Sequence, residues 1–79
     1  MNLHWFDPPV AISGKSAGTT YNVNNVEAAS AHLFKWTKRG PKWKVATDVC
    51  RAALGDRATP QEARRCFRLA AIEEGVLLA

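Results

Sequence analysis

The stretch Thr59 to Gly75, TPQEARRCFRLAAIEEG, constrains this chain most, because it carries a helix start, a helix stop and an unbroken apolar seam between them. Thr59 followed three residues later by Glu62 is a capping box, in which hydroxyl and carboxylate satisfy backbone N–H groups that the first turn leaves without partners. Pro60 suits the first helical position, where its missing N–H costs nothing. At roughly 100° per residue, Ala63, Cys66, Phe67, Ala70 and Ala71 fall on one side and Gln61, Arg64, Arg65 and Arg68 on the other. Gly75 supplies the left-handed residue that commonly ends a helix. The segment reads as the last helix, with Phe67 as its anchor among residues small enough to let neighbouring elements approach.

Upstream, the spacing predicts two strands and two further helices. Val10 and Ile12 alternate with Ala11 and Ser13, and Thr19, Tyr21 and Val23 alternate with Thr20 and Asn22. The small, glycine-bounded connection Gly14 to Gly18 makes an antiparallel hairpin of them. Asn24 with Glu27 three residues on is expected to open a helix that buries Val26, Ala29, Leu33 and Trp36. Thr37 to Gly40 is a loop, and Pro41 starts a helix burying Trp43, Ala46, Cys50, Ala53 and Leu54, which Gly55 stops. Residues 1–9 read as an arm set off by the Asp7-Pro8-Pro9 breaker and docking Trp5 and Phe6 on the body. Val76-Leu77-Leu78 is a candidate third strand, a frayed end or a partner contact. The expected fold is one α+β domain over residues 1–79, an antiparallel hairpin packed on three helices in the order ββααα(β).

A chain of 79 residues buries a smaller share of its surface than a longer one, so a second subunit would help it. No run approaches the roughly 20 apolar residues of a membrane span and no signal segment opens the sequence, which gives an expected cytoplasmic location. Cys50 and Cys66 fall on the apolar sides of their helices and read as buried thiols. Together with His4 and His32 they lack the paired spacing of a zinc site, so no metal or cofactor is implied.

The net charge of +4 is concentrated: Lys35, Lys38, Arg39, Lys42 and Lys44 lie within ten residues, while the rest of the chain is close to balanced. Cations interleaved with Trp36 and Trp43 can contact phosphates and stack on bases, which makes the run a candidate nucleic-acid contact. The competing reading is structural, because both tryptophans sit at the core-facing phase of their helices. A phosphate loop at Gly14-Lys15-Ser16 fails, since Pro9 stands in place of the first glycine and a strand follows where that motif requires a helix. A helix-turn-helix around Gly55 fails on register, which puts Asp56 and Gln61 where that motif packs apolar residues. The arginines of the last helix then read as a solvated face, and Asp48, Glu62, Glu73 and Glu74 as surface charges. Ser13, Ser16 and Ser30 have no nearby base that the sequence points to, and no catalytic residue is assigned. Leu69 and Ile72 on the last helix and Phe34 on the first lie off the buried seams. With Arg65 and Arg68, Leu69 and Ile72 make a candidate surface for a protein partner or a second copy of the chain.

One set of residues resembles a family. Phe6 with Pro9-Val10, Glu27-Ala28, Leu33 with Trp36, Gly40-Pro41, Ala46, Cys50, Ala53-Leu54-Gly55, and above all Glu62-Ala63-Arg64 with Phe67 and Ala70-Ala71 are similar to the DUF982 family of small bacterial proteins. Thr37, where proline is expected, and the basic Lys42-Trp43-Lys44 depart from its pattern. The resemblance implies a compact α+β domain and carries over no catalytic or binding residue. The functional expectation is a non-enzymatic cytoplasmic interaction module that self-associates, with nucleic-acid binding through the basic turn as the alternative.

Overall fold

The computed structural model describes residues 4–14 and 18–78. Residues 1–3 of the expected arm, and Lys15 and Ser16 of the rejected phosphate loop, lie outside the described residues. The elements are β1 (Trp5–Ser13), β2 (Thr20–Asn25), α1 (Val26–Lys35), α2 (Pro41–Leu54) and α3 (Pro60–Glu74). This is the expected α+β order, an antiparallel two-stranded sheet followed by three helices.

In the hairpin Val10 pairs with Val23 and Ile12 with Tyr21. Val10, Ile12 and Val23 are buried, joined from the helices by Val26, Ala29, Leu33, Ala46, Ala53, Ala63 and the aromatic pair Trp36 and Phe67. The Trp36 ring stacks on Phe67 at 5.3 Å and Phe6 tilts against it at 6.2 Å. One side chain of α3 thus ties β1 to α1. The capping box at Thr59 is formed in both directions, and Gly75 ends α3 in the left-handed conformation.

Several local expectations are corrected. The Asp7-Pro8-Pro9 step does not set off an arm, because β1 begins at Trp5 and runs through it. Prolines have no amide hydrogen for a ladder, and the register shifts between Trp5 and Val10. Instead α3 serves the carbonyls of this segment. Gln61 Nε2 donates to the Asp7 carbonyl at 3.0 Å and Arg64 Nε to the Pro8 carbonyl at 2.6 Å. That part of the helix is therefore not a solvated face. Phe6 is buried, whereas Trp5 is exposed.

The cap of α1 is Asn25 and not Asn24. Its side chain accepts from the Ala28 N–H at 2.7 Å, and strand pairing of Trp5 with Asn25 extends β2 to that residue. Leu54 is exposed and Cys66 only half-buried. The segment after Gly75 falls short of a third strand. A single bridge joins Leu77 to Ile12, framed by bonds from Ser13 N to the Val76 carbonyl and from Leu78 N to the Ala11 carbonyl.

Candidate functional site

The basic run folds into the end of α1, the loop after it and the start of α2, and most of its hydrogen bonding is internal. The last carbonyls of an α-helix lack intrahelical partners. Here Arg39 supplies them, donating from Nη2 to the Phe34 carbonyl at 2.9 Å and from Nε to the Trp36 carbonyl at 3.1 Å. Its guanidinium also lies 4.7 Å from the centre of the Trp43 ring, a cation–π geometry. Trp43 Nε1 donates to the Leu33 carbonyl at 2.7 Å, and Trp36 is in the core. Trp36 is thus a core residue, Trp43 is engaged by Leu33 and Arg39, and Arg39 is the lock of this corner.

Two carboxylates assigned to the surface complete that lock. Negative charge on the last turn of a helix opposes the helix dipole, so Glu73 and Glu74 are poorly placed for α3 itself. Both serve the neighbouring segment. Glu74 accepts from Lys38 N at 3.1 Å and Glu73 Oε2 from Lys42 N at 3.1 Å. Because Gly40 caps α2 without a side chain, Glu73 provides the missing N-terminal acceptor from another helix. A Cβ at Gly40 would overlap the Glu73 carboxylate, so a side chain there would have to displace that carboxylate; the glycine's φ of −80° suits any residue. Lys35, Lys38, Lys42 and Lys44 remain exposed, but the amide end of α2 that an incoming phosphate would use already holds a carboxylate.

The second expected surface lies on α3. Leu69 is 37% exposed and Ile72 51%, with Arg65 and Arg68 also outward and Arg68 engaged within the chain. On α2, Val45 is 50% exposed. Phe34, at 62% exposure, lies elsewhere, lining with Leu54 and Arg51 a small hollow between α1 and α2.

A polar cluster that no local spacing announces joins three distant segments. His4 donates its backbone N–H to Glu27 Oε1 at 3.1 Å, and its ring faces Glu27 Oε2 at 2.7 Å and Asp56 Oδ1 at 3.1 Å. Both ring nitrogens facing carboxylates suit the imidazolium, the form in which both donate. Hydrogen bonding to Glu27, then to Asp56, raises the His4 pKa above its ordinary value of 6.5. For Glu27, burial pushes upward, but the bonds from His4 prevail and hold the carboxyl below 4.5. A raised histidine pKa contributes stability that is whole below the unfolded value and fades as pH climbs through the folded one; the lowered Glu27 requires pH above its own unfolded value. The strap is therefore strongest between 4.5 and 6.5. A His4→Gln variant is expected to lose most relative to the parent in thermal melts at about pH 5.5 and progressively less towards about pH 9. A gap that widens with pH would show that His4 stays neutral.

Both thiols are held towards their protonated form. Burial pushes Cys50 up to about 11, and Cys66 is raised for the same reason. Both are unbridged. Among the described residues no group of three or more His, Cys, Asp or Glu is arranged to hold a metal ion, and no helix is long and apolar enough to cross a membrane.

Comparison with known proteins adds family membership. No curated protein and no solved structure matches the chain. A family model described as "Protein of unknown function (DUF982)" matches residues 8–78, which takes in the Glu62-Ala63-Arg64 and Phe67 signature and nearly everything else described above. The chain therefore belongs to the DUF982 family.

Proposed function

We propose that this protein is a non-enzymatic cytoplasmic interaction module that self-associates through the outer face of α2 and α3. The observation that carries the reading is the exposure of large apolar side chains, Leu69 and Ile72 on α3 and Val45 on α2, on helices whose inner faces are already filled. Leu69 and Ile72 are three residues apart and share a face, and Arg65 and Arg68 border them with polar groups. An apolar centre with a polar rim is the usual anatomy of an interface. A small domain also gains proportionately from burying such a face. The reducing location fits two unbridged thiols, one of them at a pKa of about 11.

The nucleic-acid alternative keeps Lys35, Lys38, Lys42 and Lys44 but has lost Arg39 to the α1 carbonyls and the α2 amide end to Glu73. Sedimentation velocity across a concentration series tests the proposal. The parent is expected to show a concentration-dependent dimer, and Leu69→Lys with Ile72→Lys to weaken it about tenfold or more, as loss of central interface contacts does. A strict monomer at the highest attainable concentration would end the self-association reading.

A further inference from the structure

A groove of about 470 Å³ opens between the hairpin and the C-terminal ends of α1 and α3, away from the face assigned to self-association. Ile12, Trp36 and Val76 give it an apolar lining, Ser13, Tyr21 and His32 line it with polar atoms, and Lys35 and Glu74 bring opposite charges. Sites for small molecules combine these features, an apolar concavity of roughly 300–1,000 Å³ with a few convergent polar groups.

The chemistry of the walls narrows the occupant. The Tyr21 and His32 rings lie 5.2 Å apart and tilted by 51°, so a flat ring lying face-on to one of them meets the other at an angle, beside the apolar lining. Burial, with Lys35 adding to it, lowers the His32 pKa below 6.5, so near neutral pH its ring has one donor and one acceptor nitrogen. Lys35 is exposed and takes part in no salt bridge among the described residues, so its ammonium is available to an anion. Glu74 is fixed by the bond from Lys38 N and keeps its negative charge in the groove, which disfavours a second anionic group. We propose that this groove binds a small planar molecule bearing a single anionic group, with the ring against Tyr21 and His32 and the anion at Lys35. Tyr21, Lys35 and Glu74 come from three separate elements, so the sequence alone implies no small-molecule ligand.

The test uses the whole protein and naphthoate as probe, followed by amide and imidazole NMR shifts. Saturable shifts are expected at Ser13, Tyr21, His32 and Val76, with Leu69 and Ile72 unmoved. Lys35→Met should weaken binding about tenfold or more, the usual scale of a charge-assisted hydrogen bond. Since Lys35 is exposed, that variant is expected to fold, and Lys35→Arg should restore most of the affinity. A naphthalene dicarboxylate should bind more weakly than naphthoate, and Glu74→Gln, which keeps the acceptor for Lys38 N, should narrow the difference. Absence of saturable shifts, shifts centred on Leu69 and Ile72, or equal binding by Lys35→Met would overturn the proposal. Because these readings are taken on the monomer signals at low concentration, failure of self-association leaves them unaffected.

Discussion

Phe67→Ala is expected to cost about 3 to 5 kcal/mol, the range for truncating a buried aromatic. Phe67 is fully buried and touches two other rings, Trp36 at 5.3 Å and Phe6 at 6.2 Å, so its loss uncouples β1, α1 and α3 at one point. The upper half of the range is favoured by its surroundings. The core it belongs to is rich in alanine, with Ala29, Ala46, Ala53, Ala63, Ala70 and Ala71 all buried, and short side chains have little reach to fill a void. At about 0.05 to 0.15 kcal/mol per residue, a domain of this size has only about 4 to 12 kcal/mol in total. The loss is thus a large fraction of the whole. Urea melts provide the measurement, and a midpoint equal to the parent's would show that the seam does not rest on Phe67. Phe67→Leu should cost less, because it leaves a smaller cavity.

The second large effect concerns Glu73 and Gly40, and here the expected result is a change of sign. Glu73→Ala removes the one side-chain acceptor at the start of α2 among the described residues, worth about 0.5 to 2 kcal/mol by analogy with caps supplied locally. Because Glu73 Oε1 is buried with no hydrogen-bond partner among the described residues, removing the carboxylate also relieves a desolvation cost. That argues for about 1 kcal/mol. Gly40→Ala in the parent evicts the same carboxylate, and the gain of about 0.4 to 1 kcal/mol from a stiffer unfolded chain offsets only part of the loss. In the Glu73→Ala background the three atoms nearest such a Cβ are gone, so Gly40→Ala should become stabilising. A double-mutant cycle by thermal or urea denaturation reads this coupling directly. Simple additivity would mean that the carboxylate is not seated under Gly40.

These two predictions differ in how visible their residues are in the sequence. Phe67 and the Thr59 capping box could be located because helix periodicity and caps are relations over three or four residues, and α3 has both. The burial of Val10, Ile12 and Val23 followed from alternation for the same reason. Glu73 is bound to a backbone amide 31 residues away, Glu74 to one 36 away, and Arg64 to a carbonyl 56 away. No local pattern encodes a side chain that serves another element's backbone, and so these groups looked like ordinary surface charge. His4 is the extreme case, with partners 23 and 52 residues distant.

Other errors came from local competition. Asn24 and Asn25 are equally able to cap α1, and the choice fell to Asn25 because strand pairing continues one residue further than alternation suggested. Asp7-Pro8-Pro9 looked like a breaker because proline removes ladder donors, which it does. What composition could not show is that Gln61 and Arg64 would stand in as partners. The glycine at position 40 is legible as a loop residue, but its setting is not, since what a side chain there would meet is the Glu73 carboxylate of another helix, at an ordinary backbone angle.

The course of β1 bears on how the chain behaves in concentrated solution. A free strand edge is a template on which identical chains can stack into fibrils. Along β1, Pro8 and Pro9 offer no amide hydrogen to an incoming strand, the Asp7 and Pro8 carbonyls are occupied by α3, and beyond them the Ala11 carbonyl and the Ser13 amide are held by residues 76–78. The same prolines that disturb the ladder therefore make the first strand a poor seed for amyloid growth.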